Sequence, residues 1–459
     1  MSYVYLALAS AVALVVAYLV LRQRGLTRGR AGRLLRLGKL SARLSASWLG
    51  AWTRRLFARG DRRVRIDETR RKADAEMVTR TMGEMKGALM KLGQMVSFIS
   101  EDIPAEYRAA LASLQAQAPP LDFPLVRDVV EHELGKDLER AFAHFDTTPL
   151  AAASIGQVHR ARLPSGEEVV VKVQYPGVAE AIAADLANVG VLYRFVGMMY
   201  PALDPKPVVE ELRGRVTEEL DYTREAENQE HFARRFDGHR HIHVPHIFRD
   251  YSTARVLTSQ WVDGMRFAEA VEAPDELRQR WCESIYRFVF SSILGHGMFN
   301  GDPHPGNYLF HPDGGVTFLD FGCVKYFPPQ MLSDWKALVV SHMEGDPARF
   351  RRQLIQLGFI KDDSSLPTEL LMRYFRFFWE PFIEDRDFVF TREYNARSLG
   401  MVFAPTGEFE GLTKKVNMPP DFVFVNRIQW GVYSILAQLG ARGNFHRLHR
   451  EYLFPAEAA

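Results

Sequence analysis

Two short motifs near position 310 constrain this chain more than any other part of its sequence. The first reads Phe-Asn-Gly-Asp-Pro-His-Pro-Gly-Asn-Tyr over 299–308. Its prolines and glycines predict a rigid loop, on which Asp302 supplies a carboxylate and Asn307 an amide. The second segment predicts a short buried strand, 316–319, that ends in Asp320-Phe-Gly. A carboxylate at a strand end, beside a glycine that admits close approach, suits a Mg²⁺ ion that bridges phosphates.

The spacing Asp-x-x-x-x-Asn, followed by a strand and Asp-Phe-Gly, is the catalytic pattern of protein kinases. It predicts ATP or ADP and Mg²⁺ as cofactors, with the metal held by Asn307 and Asp320. Asp302 then orients or deprotonates the attacking oxygen. Asp-Phe-Gly alone would be a weak signal, because three residues recur by chance. The alternative is that Asp302 forms only a turn and Asp320 only a buried strand end.

Composition sets the limits of this interpretation. A chain of 459 residues has room for roughly two or three domains, and 47% hydrophobic residues predict that most of it folds. A net charge of +2 argues against a nucleic-acid surface over the whole molecule. The two cysteines provide no disulfide framework, which favours a reducing compartment.

The N-terminus predicts a membrane anchor. Residues 1–21 carry no charged side chain, and arginines follow at once from Arg22. About 20 apolar residues span a bilayer, and the positive-inside rule places the rest of the chain in the cytoplasm. The anchor therefore predicts a single-pass protein of a bacterial inner membrane or of an organelle membrane. A hairpin or an interfacial anchor is the alternative.

A cationic, amphipathic stretch follows over residues 22–66. Next to an anchor, this pattern predicts contact with anionic lipid headgroups. The plainer interpretation is a solvated face beside a core stripe. Residues 67–124 then predict a helical extension that ends at a cluster of prolines. Composition alone makes Lys91 and Gln94, in its methionine-rich part, ordinary surface residues.

The pattern changes to strands and turns near residue 145. Small residues at 151–154 precede a predicted hairpin closed by Pro-Ser-Gly at 164–166. Backbone N–H groups in such a loop can cradle phosphates. The predicted strand 169–174 carries Lys172, and an inward lysine is costly to bury unless it is paired. The alternative is an edge lysine whose ammonium reaches water.

An acidic segment supplies candidate partners for Lys172. Residues 208–236 predict one long amphipathic helix, on which Glu219, Asp221 and Glu225 could flank one cleft. An ordinary acidic helix is the alternative. The histidines at 239–246 fit a strand and turn better than a metal site.

A buried strand is predicted over 255–264, followed by an apolar lead-in helix. In a kinase this position is the interlobe hinge that holds adenine, so Gln260 and Val262 are candidate nucleotide contacts. After Gly322 the helical pattern resumes within about ten residues, and no Ala-Pro-Glu follows. That leaves little room for a segment on which a peptide could dock.

Together these motifs resemble the UbiB/AarF/ADCK family of atypical, protein-kinase-like proteins. The resemblance covers roughly residues 80–340 and is most specific in the Lys-x-Gly-Gln helix combined with an alanine-rich loop. The residues that carry it are Lys91, Gln94, Ala151, Ala152, Ala153, Ser154, Lys172, Glu219, Asp221, Glu225, Asp302, Asn307 and Asp320.

The resemblance implies roles that composition does not show. Lys91 and Gln94 would reach the nucleotide pocket from a helix that covers the peptide site, and Glu219 and Asp221 would contact this extension as a regulatory pair. Glu225 would be the partner of Lys172. Alanines in place of glycines would restrict how the phosphates sit. Family members are linked to ubiquinone or related isoprenoid-lipid metabolism, and show ATPase activity more readily than protein phosphorylation.

We therefore expect an α+β, two-lobed protein-kinase-like fold with a helical N-terminal extension, a helical C-terminal tail and one transmembrane helix. The expected lobes are 125–262 and 263–390, and the tail is 391–459. Expected partners are membrane lipids with anionic headgroups, isoprenoid quinone precursors and other quinone-biosynthesis enzymes, but no nucleic acid. Two alternatives stay open: a non-catalytic, nucleotide-gated lipid-binding scaffold and a conventional Ser/Thr protein kinase.

Overall fold

A computed structural model describes residues 121–153, 155–180, 214, 220–300, 303–403, 406–412 and 415–454. The predicted anchor, the basic stretch and almost all of the helical extension lie outside these residues. So do five candidate site residues, namely Lys91, Gln94, Ser154, Glu219 and Asp302.

The chain divides into two compact units. Described residues of the first unit are 121–129, 148–153, 155–158, 174–180, 214 and 220, and the second unit takes the described parts of 130–147, 159–173 and 221–454. No helix within the described residues is long and apolar enough to cross a membrane. The predicted lobe boundaries stay predictions.

The described strands form mainly antiparallel sheets. The largest has the order β1-β3-β4-β6, with β2 also pairing with β3, and a second has the order β5-β9-β8, in which β5 and β9 are parallel. Two-stranded sheets join β7 to β10 and β11 to β12. The strands are β1 (His144–Phe145), β2 (Ala151–Ala152), β3 (Gly156–Arg162), β4 (Glu168–Gln174), β5 (Ile242–His243), β6 (Val256–Gln260), β7 (Met298–Asn300), β8 (Tyr308–Phe310), β9 (Val316–Phe318), β10 (Val324–Tyr326), β11 (Phe388–Val389) and β12 (Arg442–Gly443).

Helices dominate the described C-terminal half. A π-helical turn, Ser291–Gly295, joins α5 to β7. The α-helices are α1 (Phe123–Leu134), α2 (Leu138–Ala141), α3 (Tyr222–Arg235), α4 (Phe267–Val271), α5 (Asp275–Phe290), α6 (Pro329–Met343), α7 (Pro347–Gln356), α8 (Thr368–Ile383), α9 (Arg392–Phe403), α10 (Pro420–Leu439) and α11 (Phe445–Leu453).

Local sequence explains the strand that carries Lys172. In β4, Val169, Val171 and Val173 are fully buried, and β-branched residues suit a pleated, half-buried surface. Because successive side chains in a strand point to opposite faces, Lys172 lies on the other face from these valines.

Aromatic packing fixes the elements around the candidate site in the second unit. The ring of Phe288 on α5 stacks on Phe318 of β9, with 3.6 Å between centroids. Phe321, which follows Asp320, lies 4.9 Å from Phe232 of α3. Buried aromatic pairs of this kind stabilise beyond the area they bury. They hold α3 and the Asp-Phe-Gly segment in one core.

Two predicted elements have different boundaries in the structure. A continuous helix over 208–236 is wrong at Asp221, which has extended backbone geometry (φ −122°, ψ 98°) and caps the start of α3. Its carboxylate accepts a hydrogen bond from the Thr223 N–H, a local bond that competes with helix continuation. The strand predicted over 255–264 is shorter, since β6 ends at Gln260 and irregular backbone follows.

Candidate active site

The centre of the candidate site is an ion pair between β4 and α3. The Lys172 Nζ donates hydrogen bonds to both carboxylate oxygens of Glu225, at 2.8 and 2.9 Å. The Glu225 side chain is only 5% exposed and that of Lys172 19%. Glu225 lies in the first turn of α3, where the helix dipole also favours an anion. The structure therefore brings together the lysine and the glutamate that the family resemblance paired.

A buried tyrosine completes the surroundings of this lysine. Tyr222 is 1% exposed, and its ring centroid lies 5.0 Å from the Lys172 Nζ. It precedes Glu225 by three positions on α3, so the helix presents ring and carboxylate on one face. The Tyr222 N–H donates to the Ala254 carbonyl at 3.0 Å, which fixes the start of the helix. An ammonium near an aromatic face is attracted by the ring quadrupole.

The pKa of Lys172 reflects opposing effects. Burial by itself disfavours the ammonium and lowers the pKa. The negative charges of Glu225 and Asp320 act in the other direction, as does the hydrogen bond to Glu225, and they hold the pKa well above its ordinary value. Lys172 is therefore a fixed positive charge at neutral pH.

The Asp-Phe-Gly segment is held by backbone and side-chain hydrogen bonds. The Gly322 N–H donates to Asp320 Oδ1 at 3.0 Å, and the Asn300 amide donates to the Asp320 carbonyl. The Asn228 amide of α3 donates to the Phe321 carbonyl at 3.1 Å. These bonds fix the backbone on both sides of the Asp320 carboxylate.

A glycine separates the two acidic side chains of the site. A Cβ atom placed on Gly322 would lie 3.3 Å from both Asp320 Oδ1 and Glu225 Oε2. Both carboxylates thus flank the Gly322 backbone, with Lys172 on Glu225. A side chain at position 322 would crowd both carboxylates, so glycine suits this position.

The candidate metal-binding loop is tied to the strand that leads to Asp320. A 3₁₀ turn, Pro305–Asn307, is capped by His304, whose ring nitrogen accepts from the Gly306 N–H at 3.0 Å. The Asn307 carbonyl accepts from the Leu319 N–H at 3.0 Å. This bond connects the loop of Asn307 to the residue directly before Asp320.

Other candidate residues lie in more ordinary surroundings. Asp221 caps α3. In the first unit, Ala151 and Ala152 form an exposed two-residue strand that pairs with Val158 and Gln157, so they belong to a hairpin and not to an open loop. The Ala153 N–H then donates to the Gly156 carbonyl at 2.9 Å.

The candidate adenine contacts follow the end of a strand. The Gln260 N–H donates to the His246 carbonyl at 2.8 Å, and Val262 lies in the irregular, half-buried segment after β6. The histidine segment nearby contains the short strand β5, and the His239 ring accepts from two backbone N–H groups. Among the described residues, no group of three or more His, Cys, Asp or Glu is placed to hold a metal ion.

Sequence reasoning missed Tyr222, Asn228 and Asn300. A signal existed for Tyr222 and Asn228, because each lies three positions from Glu225 on the same helix. For Asn300, no signal existed, because its contact depends on how β7 is placed against the Asp-Phe-Gly segment. The site thus contains a buried lysine–glutamate ion pair and an aspartate that closely follows, in sequence, a loop bearing an asparagine. This is the arrangement of a protein-kinase-like site.

Comparison with known proteins agrees with this class. The ABC1 atypical kinase-like domain matches residues 113–354 of the chain. The chain therefore belongs to the ABC1 atypical kinase-like family, as its motifs predicted, and it has the kinase-like α+β fold of that family.

Relatives are found in plants, yeast and bacteria. Protein ACTIVITY OF BC1 COMPLEX KINASE 8, chloroplastic, of Arabidopsis thaliana is 34% identical over 63% of this chain and 39% of its own length. The atypical kinase COQ8, mitochondrial, of Saccharomyces cerevisiae is 27% identical over 83% of this chain and 76% of its own length. The chain also spans 52% of the length of two Synechocystis relatives.

A solved structure is similar as well. The structure of the complex of Rv3197 with erythromycin from Mycobacterium tuberculosis has a TM-score of 0.63 and 31% sequence identity, and the match covers 86% of this chain and 98% of that one.

Proposed function

We propose that this chain is an atypical kinase or ATPase of the UbiB type, which binds Mg²⁺ with ATP or ADP. The observation that carries the proposal is the buried Lys172–Glu225 pair beside the anchored Asp320 carboxylate. A lysine held in the charged form by two carboxylates is suited to bind phosphate groups of a nucleotide.

The donors present fit a magnesium ion that keeps waters and phosphates as its other ligands. Mg²⁺ prefers oxygen ligands and is usually bound through one or two carboxylates plus substrate phosphates. Asp320 and Asn307 would supply a carboxylate and an amide oxygen, and the metal would offset charge on the transferring phosphoryl group.

Protein groups would perform the remaining steps. Glu225 and Tyr222 orient Lys172 toward the α- and β-phosphates. Asp302, on the same loop as Asn307, takes the proton of the attacking oxygen of water or of a small lipid-related hydroxyl. In this proposal Lys91 and Gln94 cover the cleft as an inhibitory lid, and Glu219 and Asp221 contact that extension.

The enzymatic test uses the purified chain with γ-phosphate-labelled ATP and Mg²⁺, with and without anionic lipid vesicles. Release of free phosphate with no transfer of label to protein supports ATPase activity. Transfer of label to a substrate protein would support a conventional kinase. Binding of nucleotide without turnover would support the scaffold. Asp320→Asn should abolish Mg²⁺-dependent nucleotide binding in a thermal-shift assay, and unchanged affinity would remove Asp320 from the site.

We further propose that residues 1–21 anchor the chain and that residues 22–66 bind anionic lipid. Deleting 1–21 should release the protein from membranes at high salt, whereas at low salt the basic stretch should retain binding to anionic vesicles. If the truncated protein still pellets with membranes at high salt, another hydrophobic surface is the anchor.

A role in ubiquinone or related isoprenoid-lipid biosynthesis is proposed from the family resemblance. The test is complementation of a bacterial strain that lacks its own family member, with quinone levels as the readout. Wild-type protein should restore quinone and Asp320→Asn should not. Restoration by both proteins would favour the scaffold.

A further inference from the structure

The candidate metal-binding loop packs closely against a helix far along the chain, with a proline ring against a glycine backbone. A Cβ atom placed on Gly431, in the middle of α10, would lie 2.3 Å from Cγ and 3.2 Å from Cβ of Pro303. Real Cβ atoms essentially never approach that closely, so the contact requires glycine. Gly431 has no positive φ that would explain glycine by backbone conformation. Pro303 is buried and directly follows Asp302 in the sequence.

A second contact joins α10 to the segment after Asp-Phe-Gly. The Lys325 Nζ lies 2.9 Å from Asp421 Oδ1, in the first turn of α10. Lys325 belongs to β10, where it is the register partner of Phe299 on β7, and β7 leads directly into the loop. Because a helix rises 1.5 Å per residue, the two contacts lie about 15 Å apart along α10.

The helix is itself firmly held. Ile428, Val432 and Leu436 are at most 1% exposed. The Gln429 amide donates to the Phe378 carbonyl at 2.8 Å, and Arg278 donates to the Leu439 carbonyl at the other end of the helix. Helix α10 lies beyond residues 113–354, to which the family domain matches.

We propose that α10 is a positioning element that fixes the loop segment from Pro303 to Asn307 and the strand after Asp-Phe-Gly. Gly431 and Asp421 are positioning residues, since they act through Pro303 and Lys325. The expected effect on catalysis rests on the proposed function. The packing of α10 against the loop is a property of the fold and does not depend on that function. It predicts that α10 governs turnover more than nucleotide affinity, because the pair Lys172–Glu225 is held by other elements.

The main test compares Gly431→Ala with Gly400→Ala in α9, where an added Cβ meets nothing within 4 Å. Alanine is a better helix former than glycine, so both changes would be neutral or stabilising if helix propensity alone mattered. Hydrogen exchange of peptides covering 299–308 should rise at least about tenfold in Gly431→Ala and stay unchanged in Gly400→Ala. The rate constant kcat for phosphate release should fall at least about tenfold, by a larger factor than any rise in KM for ATP.

A rescue experiment separates positioning from general destabilisation. Pro303→Ala removes the ring atom that the new Cβ would meet, so Gly431→Ala should cause little further change in exchange or kcat when added to Pro303→Ala. If Gly431→Ala does not fold, Asp421→Asn should raise exchange in β10 and β7.

Wild-type hydrogen exchange of peptides 299–308 in Gly431→Ala would overturn the proposal. An equal fall in kcat when Gly431→Ala is added to wild type and to Pro303→Ala would also overturn it. Wild-type exchange in Asp421→Asn would also overturn it, where Gly431→Ala cannot be purified. Failure of the wild-type protein to turn over ATP would instead count against the proposed function, because the exchange measurement does not depend on activity.

Discussion

Among single residues of the candidate site, Glu225 carries a buried negative charge that depends on one partner. Its side chain is 5% exposed, and its charge is compensated by two hydrogen bonds from Lys172. Removing one partner of a buried ion pair is costly because the other charge stays buried and uncompensated. The folded-state pKa of Lys172 is raised, so the stability that this pair contributes is fully present below the ordinary lysine pKa. It is lost only as the pH rises through the raised value.

Replacing Glu225 by Gln should therefore lower both stability and nucleotide affinity. We expect the free energy of unfolding to fall by about 3 kcal/mol and binding of Mg·ATP to weaken, because Lys172 loses its orienting anion. Chemical denaturation and a thermal-shift titration measure the two effects.

The matched control is Glu230→Gln on the same helix, where the carboxylate pairs with the more exposed Arg249. This change should cost less than about 1 kcal/mol and leave nucleotide affinity unchanged. Equal losses of affinity in the two variants would contradict a special role for Glu225.

How far sequence predicts this site depends on the kind of contact. Spacing and strand pattern predict Lys172, Asn307 and Asp320 as site residues, and the family resemblance selects Glu225 from three acidic candidates. Gly322 was noted only as a glycine of the motif, because its position between two carboxylates arises from the packing of α3 against the Asp-Phe-Gly segment. Gly431 carried no signal, since a glycine within a helical pattern is compatible with many environments.

At the scale of elements, the start of α3 determines where Tyr222 and Glu225 lie. The predicted helix over 208–236 followed from periodicity, because an aspartate within a polar run resembles an ordinary solvated residue. In the structure, Asp221 has extended backbone and accepts from the Thr223 N–H at 3.0 Å. A side-chain cap of this type satisfies one of the backbone donors that a helix start leaves unpaired.

Asp221→Ala should consequently affect both stability and the site. Loss of an N-cap costs about 1 kcal/mol, and fraying of the first turn would displace Glu225 from Lys172. We expect a drop of that size in unfolding free energy together with weaker Mg·ATP binding, both measured as for Glu225→Gln.

Asp346→Ala is the matched control, because Asp346 caps α7 through the Arg349 N–H at 2.9 Å. It should lose similar stability and keep wild-type nucleotide affinity. If Asp221→Ala also kept wild-type affinity, the cap would stabilise α3 without positioning the site.

At the scale of the whole molecule, several histidines are held neutral by burial. Burial is the largest cause of a lowered pKa at His159, His296, His311 and His342. The most extreme is His449 on α11, which is 2% exposed and stacks on Phe382 with 3.9 Å between centroids. Sequence predicted only a helical tail here, because an amphipathic pattern does not reveal which histidine will be enclosed by aromatic rings.

His449 should make the fold sensitive to acid. Burial, with a smaller contribution from the charge of His446, lowers its pKa to about 3. Below the unfolded-state value near 6.5 the unfolded chain binds a proton that the folded chain does not, so stability is lost as the pH falls. For one such group the loss approaches about 1.4 kcal/mol per pH unit below pH 6.

The measurement is the free energy of unfolding between pH 7.5 and 5. His449 shares a 2.9 Å hydrogen bond with the Tyr286 hydroxyl, so His449→Phe is combined with Tyr286→Phe to leave no buried hydroxyl without its partner. The double variant should lose less stability on acidification from pH 7.5 to 5 than wild type, by about 2 kcal/mol. Tyr286→Phe alone keeps the histidine and should retain the wild-type pH dependence. An identical pH dependence in wild type and the double variant would mean that His449 is protonated in the folded protein.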